Sequence, residues 1–140
     1  FLSRGTSRDS RQEMNLDQLR QSLPQLKVMH LDTHLDLKEQ IEKVIPCRVL
    51  IGLHGAHMMH AMWLSPGTAV HEIHTIHKTK NYYYRNIALL AGARYIAHPI
   101  CERGCAGKIV NGSTWIDPVY FKRILEPSKK GGAFPAQKAE

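Results

Sequence analysis

The chain has 140 residues, a formal net charge of +7 and 43% hydrophobic residues. That is enough for one domain with a real core, and no apolar run reaches the ~18 residues of a membrane span. The surplus of Lys and Arg suits an anionic ligand. The lack of a basic stripe interleaved with aromatics, and of any complete zinc-finger spacing, argues against nucleic acid as the partner. Neither a signal peptide nor an initiator Met opens the chain, which starts at Phe1 inside what reads as a strand end. We therefore read it as part of something longer.

Phe1 to Arg4 reads as the tail of a strand and Gly5 to Gln12 as a polar, basic loop. Asn15 is a candidate N-cap, with Gln18 completing a capping box, for a short helix whose apolar side is Leu16, Leu19 and Leu23 and which Pro24 ends. Lys27 to Leu31 is the next strand. Asp32 to Asp36 turns the chain into a helix reaching about Ile45, with Leu37, Ile41, Val44 and Ile45 inward and Lys38, Glu42 and Lys43 outward; Pro46 stops it.

The central unit follows. Val49 to Leu53 is an apolar strand ending at His54-Gly55. Ala56 to Leu64 reads as helical, Ser65-Pro66-Gly67 as a turn, and Thr68 to Ile73 as a second strand. His74 to Lys80 is polar and basic. Asn81 is a candidate cap for a helix to Ala91 carrying Tyr83, Tyr84, Ile87 and Leu90, with Gly92 as its C-cap. Arg94 to Ala97 is a strand that Pro99 closes, and Cys101 to Thr114 reads as a Gly-rich loop. Asp117 at N-cap and Pro118 at N1 start a last helix through Leu125. Residues 126–140, rich in Lys, Gly, Pro and Ala, read as a disordered basic tail.

Strands and helices alternate with short connections, so the fold class expected is α/β: a Rossmann-like, mostly parallel sheet with helices on both faces. Cys47 lies in an apolar context. Cys101 and Cys105 are compatible with a small disulfide, free thiols or a metal. Asn111-Gly112-Ser113 is an acceptor pattern for N-glycosylation, one that is common by chance.

Binding crevices of such sheets lie beyond the carboxyl ends of the strands, where His54, Gly55 and Glu72 fall. Gly55 would let the backbone turn sharply, so that the first helical N–H groups face the crevice, a ready site for phosphate. His54 could donate a hydrogen bond to a phosphate oxygen or share its proton as charge builds there. Glu72 is a carboxylate in an apolar strand. It is expected either to reach a ligand hydroxyl, as acidic residues do with nucleotide ribose, or to pair with a nearby Arg or Lys. Arg4, at a strand end, could clamp a diphosphate or simply face solvent. The full Gly-x-Gly-x-x-Gly fingerprint and the Lys-bearing phosphate loop are absent.

The nine histidines include His54, His57 and His60, and His71, His74 and His77, each three apart. His57 and His60 would share a helical face and could chelate zinc together. Val70 to His74 lacks the four-residue spacing of a zinc hydrolase, so solvated or core-edge histidines are the plainer reading. Met58, Met59, Met62 and Trp63 read mostly as core filler, and Tyr82, Tyr83 and Tyr84 as packing or a stacking surface.

Arg48 to Ala56, followed by Met62 to Gly67 and Val70 to Ile73, resembles glycosyltransferase family 61. This family includes EGF-domain-specific O-linked N-acetylglucosamine transferase and plant xylosyltransferases. Leu2-Ser3-Arg4, Lys27 to Leu31, Leu37 to Ile41, Tyr84 to Ala88 with Gly92 and Tyr95, and Trp115 to Asp117 with Phe121 fit the same pattern. The resemblance covers about residues 1–125 and departs from the family at His57, Met59 and Trp63, where Gly, Thr and Phe are usual. It implies a two-lobed GT-B enzyme, of which residues 1–125 would be the C-terminal, nucleotide-sugar-binding lobe, with the N-terminal lobe missing. It also implies an inverting transfer of a sugar (N-acetylglucosamine, xylose or similar) from a UDP-linked donor to a hydroxyl of a protein or glycan, with no cofactor and no metal. The implied roles are diphosphate binding for Arg4 and His54, with His54 also catalytic, and nucleotide contact for Gly55, Ala56 and Glu72. The implied location is the endoplasmic reticulum or Golgi lumen, with a membrane-anchored parent. The alternatives are a non-catalytic nucleotide- or anion-binding lobe and a zinc-binding hydrolase built on the histidines.

Overall fold

The computed structural model describes residues 1–3, 15–30, 35–74, 82–101 and 104–125. Five strands, β1 (Leu2–Ser3), β2 (Met29–His30), β3 (Val49–Leu53), β4 (Ala69–His74) and β5 (Arg94–Pro99), form one sheet in the order β2-β1-β3-β4-β5. Every pairing in it is parallel. The chain steps from β1 outward to β2, then returns past β1 to β3 and continues the other way. The boundary between β1 and β3 is therefore the topological switch point, beside which ligands of doubly wound sheets bind.

Both faces are covered, as the alternation of strands and helices predicts. Successive strand residues point to opposite faces. Leu50 and Val70 pack on one side with Met29, Val44, Met58, Ala61, Leu64, Ala88 and Ala93. Apart from Met29 of β2, these lie in or within three residues of α2 (Leu37–Val44), a 3-10 helix (Ala56–Trp63) and α3 (Tyr83–Leu90). Ile51, Leu53 and Ile73 pack on the other side with Phe1, Leu19, Leu23, Ala106, Ile116 and Phe121. Apart from Phe1, before β1, these lie in or next to α1 (Leu16–Ser22), α4 (Pro118–Leu125) and the hairpin of β6 (Gly107–Val110) and β7 (Ser113–Ile116). The fold is thus an α/β, Rossmann-like architecture with a small parallel sheet between helices.

Several local expectations need correction. The segment after β3 is a 3-10 helix, not an α-helix. Its buried apolar positions, Met58 and Ala61, and Leu64 at its C-cap recur every three residues, the repeat of a 3-10 helix; His60 is buried beside them. The glycine that the close packing of this helix requires is Gly52, not Gly55. The chain bends at His54 and Gly55, but Gly55 is extended at φ 162°, a conformation open to any residue, so the bend does not need a glycine. A Cβ on Gly52 would stand 2.6 Å from Met58 Sδ and 3.1 Å from His57 Nε2.

Asn15 does not cap α1 with its side chain. Its amide is occupied across the molecule: Nδ2 donates to the Ile116 carbonyl at 2.7 Å, and Oδ1 accepts from the Ile116 N–H at 2.8 Å. Much of the Gly-rich loop is the antiparallel β6–β7 hairpin. Asn111 and Gly112, at φ 49° and 78°, make the left-handed two-residue turn that Asn-Gly favours. Leu37 and Ile45 face solvent instead of the core, and Tyr83 and Leu90 are exposed too, because α2 and α3 each press only a narrow stripe, centred on Val44 and Ala88, against the sheet.

At the start of α2, Asp36 and Glu39 form a full capping box that the sequence reading did not name. Other expectations stand. Gly92, at φ 72°, ends α3, with Gly92 N–H to Leu89 O and Ala93 N–H to Ala88 O, a Schellman motif. Asp117 Oδ1 accepts from Val119 and Tyr120 N–H. Cys101 and Cys105 are disulfide-bonded and Cys47 is a free thiol. Asn81, the 126–140 tail and Arg4 lie outside the described residues.

Candidate functional site

The site is built where three neighbouring strands bring polar side chains to their carboxyl ends. β3 ends at Leu53, and the His54 N–H is held by the Ile73 carbonyl at 2.7 Å, so His54 continues the edge of the sheet. In β4, Glu72 and His74 are two apart and lie on one face, while His71, an odd step away, lies on the other. On β5, Tyr95 stands opposite Val70, and its long side chain reaches diagonally to Glu72.

Glu72 is fully buried, and both of its oxygens are engaged within the protein. Oε1 contacts His54 Nδ1, and Oε2 accepts from the Tyr95 hydroxyl at 2.6 Å. His74 Nε2 lies 3.1 Å from that hydroxyl. The His54 ring is stacked beside His74 at 5.5 Å and met edge-on by Tyr84 at 5.1 Å. Burial, reinforced by the hydrogen bond to Glu72, raises the Tyr95 pKa strongly, so the phenol keeps its proton. Burial lowers the His74 pKa below the usual value, more than the Glu72 charge raises it. The His54 side chain is 18% exposed while that of Glu72 is 0% exposed; His54 is the member of the pair that solvent or a ligand can touch.

The sequence-based candidates divide accordingly. His54 and Glu72 come together. Gly55 and Ala56 follow His54 directly, at the start of the 3-10 helix, whose first internal bond is Met58 N–H to Gly55 O. The Ala56 amide thus precedes the helix's own ladder, at the end where such a helix offers donors. Among the described residues, Glu72 pairs with a histidine and a tyrosine, not with an Arg or Lys. Tyr95 and His74 complete the cluster. Only the two-residue repeat along β4 and β5 could have pointed to them.

Three donors, His54, Glu72 and His74, lie within 4.8 Å of one another. They are close enough together to hold a metal ion, and they also contact one another. His54 and Glu72 are in direct contact, and His74 Nε2 stands 3.9 Å from Glu72 Oε2, so the polar atoms are satisfied by each other. Among the described residues this is the one such group, and His57, His60 and His71 do not belong to it. His77 lies outside the described residues.

A second histidine pair lies on the opposite face. His71 Nδ1 and His98 Nε2 share a hydrogen bond of 2.8 Å between stacked rings. His98 Nδ1 meets the Tyr120 hydroxyl at 2.9 Å. Both rings are buried, and burial lowers their pKa values to about 4 for His71 and about 3 for His98. These neutral rings link β4 and β5 to α4.

A doubly wound parallel sheet with a half-open polar cluster at its carboxyl edge is the architecture of α/β proteins that handle nucleotides. The family model described as Glycosyltransferase 61 matches residues 1–71, just over half of the chain. The chain belongs to the glycosyltransferase 61 family. The match takes in β1 to β3, His54, Gly55, Ala56 and the 3-10 helix, and it stops one residue before Glu72. No curated protein matches the chain. Among the described residues, no helix is long and apolar enough to cross a membrane. Family and fold together are consistent with glycosyltransferase-like chemistry in general.

Proposed function

We propose that this chain is the nucleotide-sugar-binding, C-terminal lobe of a GT-B glycosyltransferase that moves a sugar from a UDP-linked donor, with inversion, to a hydroxyl of a protein or glycan acceptor. The observation that carries the reading is the His54–Glu72 pair at the carboxyl end of β3, beside the switch point of a sheet in a glycosyltransferase 61 chain. A carboxylate only accepts hydrogen bonds, so Glu72 accepts from the Nδ1–H of His54 and leaves Nε2 to the ligand.

In the reaction, the acceptor oxygen bonds to the anomeric carbon while the bond from that carbon to the diphosphate oxygen breaks. The nucleoside diphosphate leaves with the electron pair, and a base takes the acceptor proton. Negative charge grows on the diphosphate. The Ala56 amide, Arg4 and His54, the last carrying a proton on Nε2 as well as on Nδ1 so that it can donate, are the groups assigned to meet it, which stabilises the transition state without a metal cation. Glu72 contributes by holding His54. The other lobe would bring the acceptor. The Cys101–Cys105 disulfide suits an oxidising compartment such as the endoplasmic reticulum or Golgi lumen, where a parent protein would be membrane-anchored.

Calorimetric titration of the chain with UDP, UDP-N-acetylglucosamine and UDP-xylose, with and without chelator, tests this. Binding should survive chelation and weaken by at least roughly tenfold in His54→Ala, a loss of about 1.4 kcal/mol. A folded chain that takes up none of the three would refute the assignment. Binding that vanishes with chelator would favour the zinc-based alternative.

A further inference from the structure

We propose that Tyr95 and Glu72 form a positioning relay that sets the proton inventory of His54: Glu72 holds the ring in the tautomer with its proton on Nδ1, and Tyr95 tunes how strongly Glu72 pulls on that proton. The inference deepens the reading of His54 as the ligand-facing group, and it rests on that reading only for its functional meaning.

The geometry allows one direction for each proton. The Tyr95 hydroxyl lies 2.6 Å from Glu72 Oε2 and has no other acceptor as good, so it donates there. Its oxygen then accepts from His74 Nε2, 3.1 Å away, which puts the His74 proton on Nε2. The other Glu72 oxygen meets His54 Nδ1 and, being acceptor-only, requires a proton on that nitrogen. A single buried carboxylate thus orients three neighbours. The strands that carry them, β3, β4 and β5, are adjacent in the sheet, so backbone pairing fixes the spacing and the cluster does not depend on loop positions.

The surroundings are consistent with this. Tyr95 stays protonated because burial and the Glu72 charge both oppose its ionisation; only Arg85 acts the other way. His74 is held toward the neutral form. Among the described residues, the titratable or charged groups around the pair are His74 on β4, Tyr95 on β5, Tyr84 and Arg85 on α3, and His57 of the 3-10 helix against Gly52. Among the described residues, the basic side chains that meet the Glu72 carboxylate are those of His54 and His74, not of a Lys or Arg.

The relay predicts opposite effects from two conservative changes. Tyr95→Phe keeps the ring but removes a hydrogen bond that stabilises the carboxylate. Glu72 then draws harder on His54, and the His54 Nδ1–H resonance should move downfield as that hydrogen bond strengthens. Glu72→Gln removes the charge, so that resonance should move upfield, and the Nε2-protonated tautomer should appear. A merely structural role would move both variants the same way or neither.

The measurement is long-range proton–nitrogen NMR of the nitrogen-labelled chain at neutral pH, which reads the tautomer and the Nδ1–H resonance directly and needs no ligand. Nδ1–H in the wild type, a downfield move in Tyr95→Phe and an upfield move in Glu72→Gln support the relay. An Nε2–H wild type, or a Tyr95→Phe resonance that is unchanged or upfield, overturns it. Should Glu72→Gln fail to fold, the wild-type tautomer and the sign of the Tyr95→Phe shift still decide. UDP binding is measured separately, so a failed relay and a failed transferase assignment give different results.

Discussion

Acidification offers the most quantitative test of the packing. His71 and His98 are neutral and buried, and in the unfolded chain each would titrate near 6.5. Their folded values are lowered, so between 6.5 and about 4 for His71, and 6.5 and about 3 for His98, the unfolded state binds more protons than the folded one. Stability contributed by the pair is therefore fully present above the unfolded value and is lost as pH falls through that window. Each fully buried ring alone would cost about 1.8 kcal/mol between pH 7 and pH 5. The two share a hydrogen bond and do not titrate independently, so the combined loss is bracketed at about 2–4 kcal/mol, a large share of the ~5–15 kcal/mol of a typical domain. Urea unfolding at half-unit steps from pH 7.5 to 5 should show the midpoint falling throughout. Proton NMR should show the ring signals of His71 and His98 silent above about pH 5. A ring titrating between pH 6 and 7, or a urea midpoint that stays level, would refute the reasoning that burial governs these groups.

Further outcomes are expected elsewhere. Gly107→Ala should destabilise the chain by roughly 1–3 kcal/mol in urea unfolding, because a Cβ there would run into the Trp115 carbonyl, a backbone atom with little freedom to retreat. Asn15→Ala removes two hydrogen bonds to Ile116 and leaves backbone groups of β7 short of partners, which should cost about 1–3 kcal/mol. Reducing the Cys101–Cys105 disulfide should cost about 2 kcal/mol on the chain-entropy view for so short a loop, read as a lower thermal midpoint with dithiothreitol. A loss under a few tenths of a kcal/mol would place that view in error here.

How much of this was legible beforehand differs from element to element. The five strands were readable because β3 and β4 are dense in β-branched and apolar residues and the short β1, β2 and β5 sit between clear helix stops. The last helix was readable from Asp117-Pro118. The β6–β7 hairpin was missed although Asn111-Gly112 signals one, because Gly104, Gly107 and the two cysteines made the surrounding stretch look like loop. The inward face of α2 was misjudged at Leu37 and Ile45. An apolar residue shows where a core contact is possible, and only the placement of neighbouring elements decides whether it is made.

The site divides in the same way. The chain's own order of residues was enough to put His54-Gly55-Ala56 at a strand end of an α/β sheet, because hydrophobic runs and turn signals are local properties. That His54 touches Glu72, that Glu72 is held by Tyr95, and that His71 turns away to meet His98 depended on strand order and register. Those contacts join residues 18 to 27 positions apart through backbone pairing between β3, β4 and β5, and no local pattern encodes which strand lies beside which.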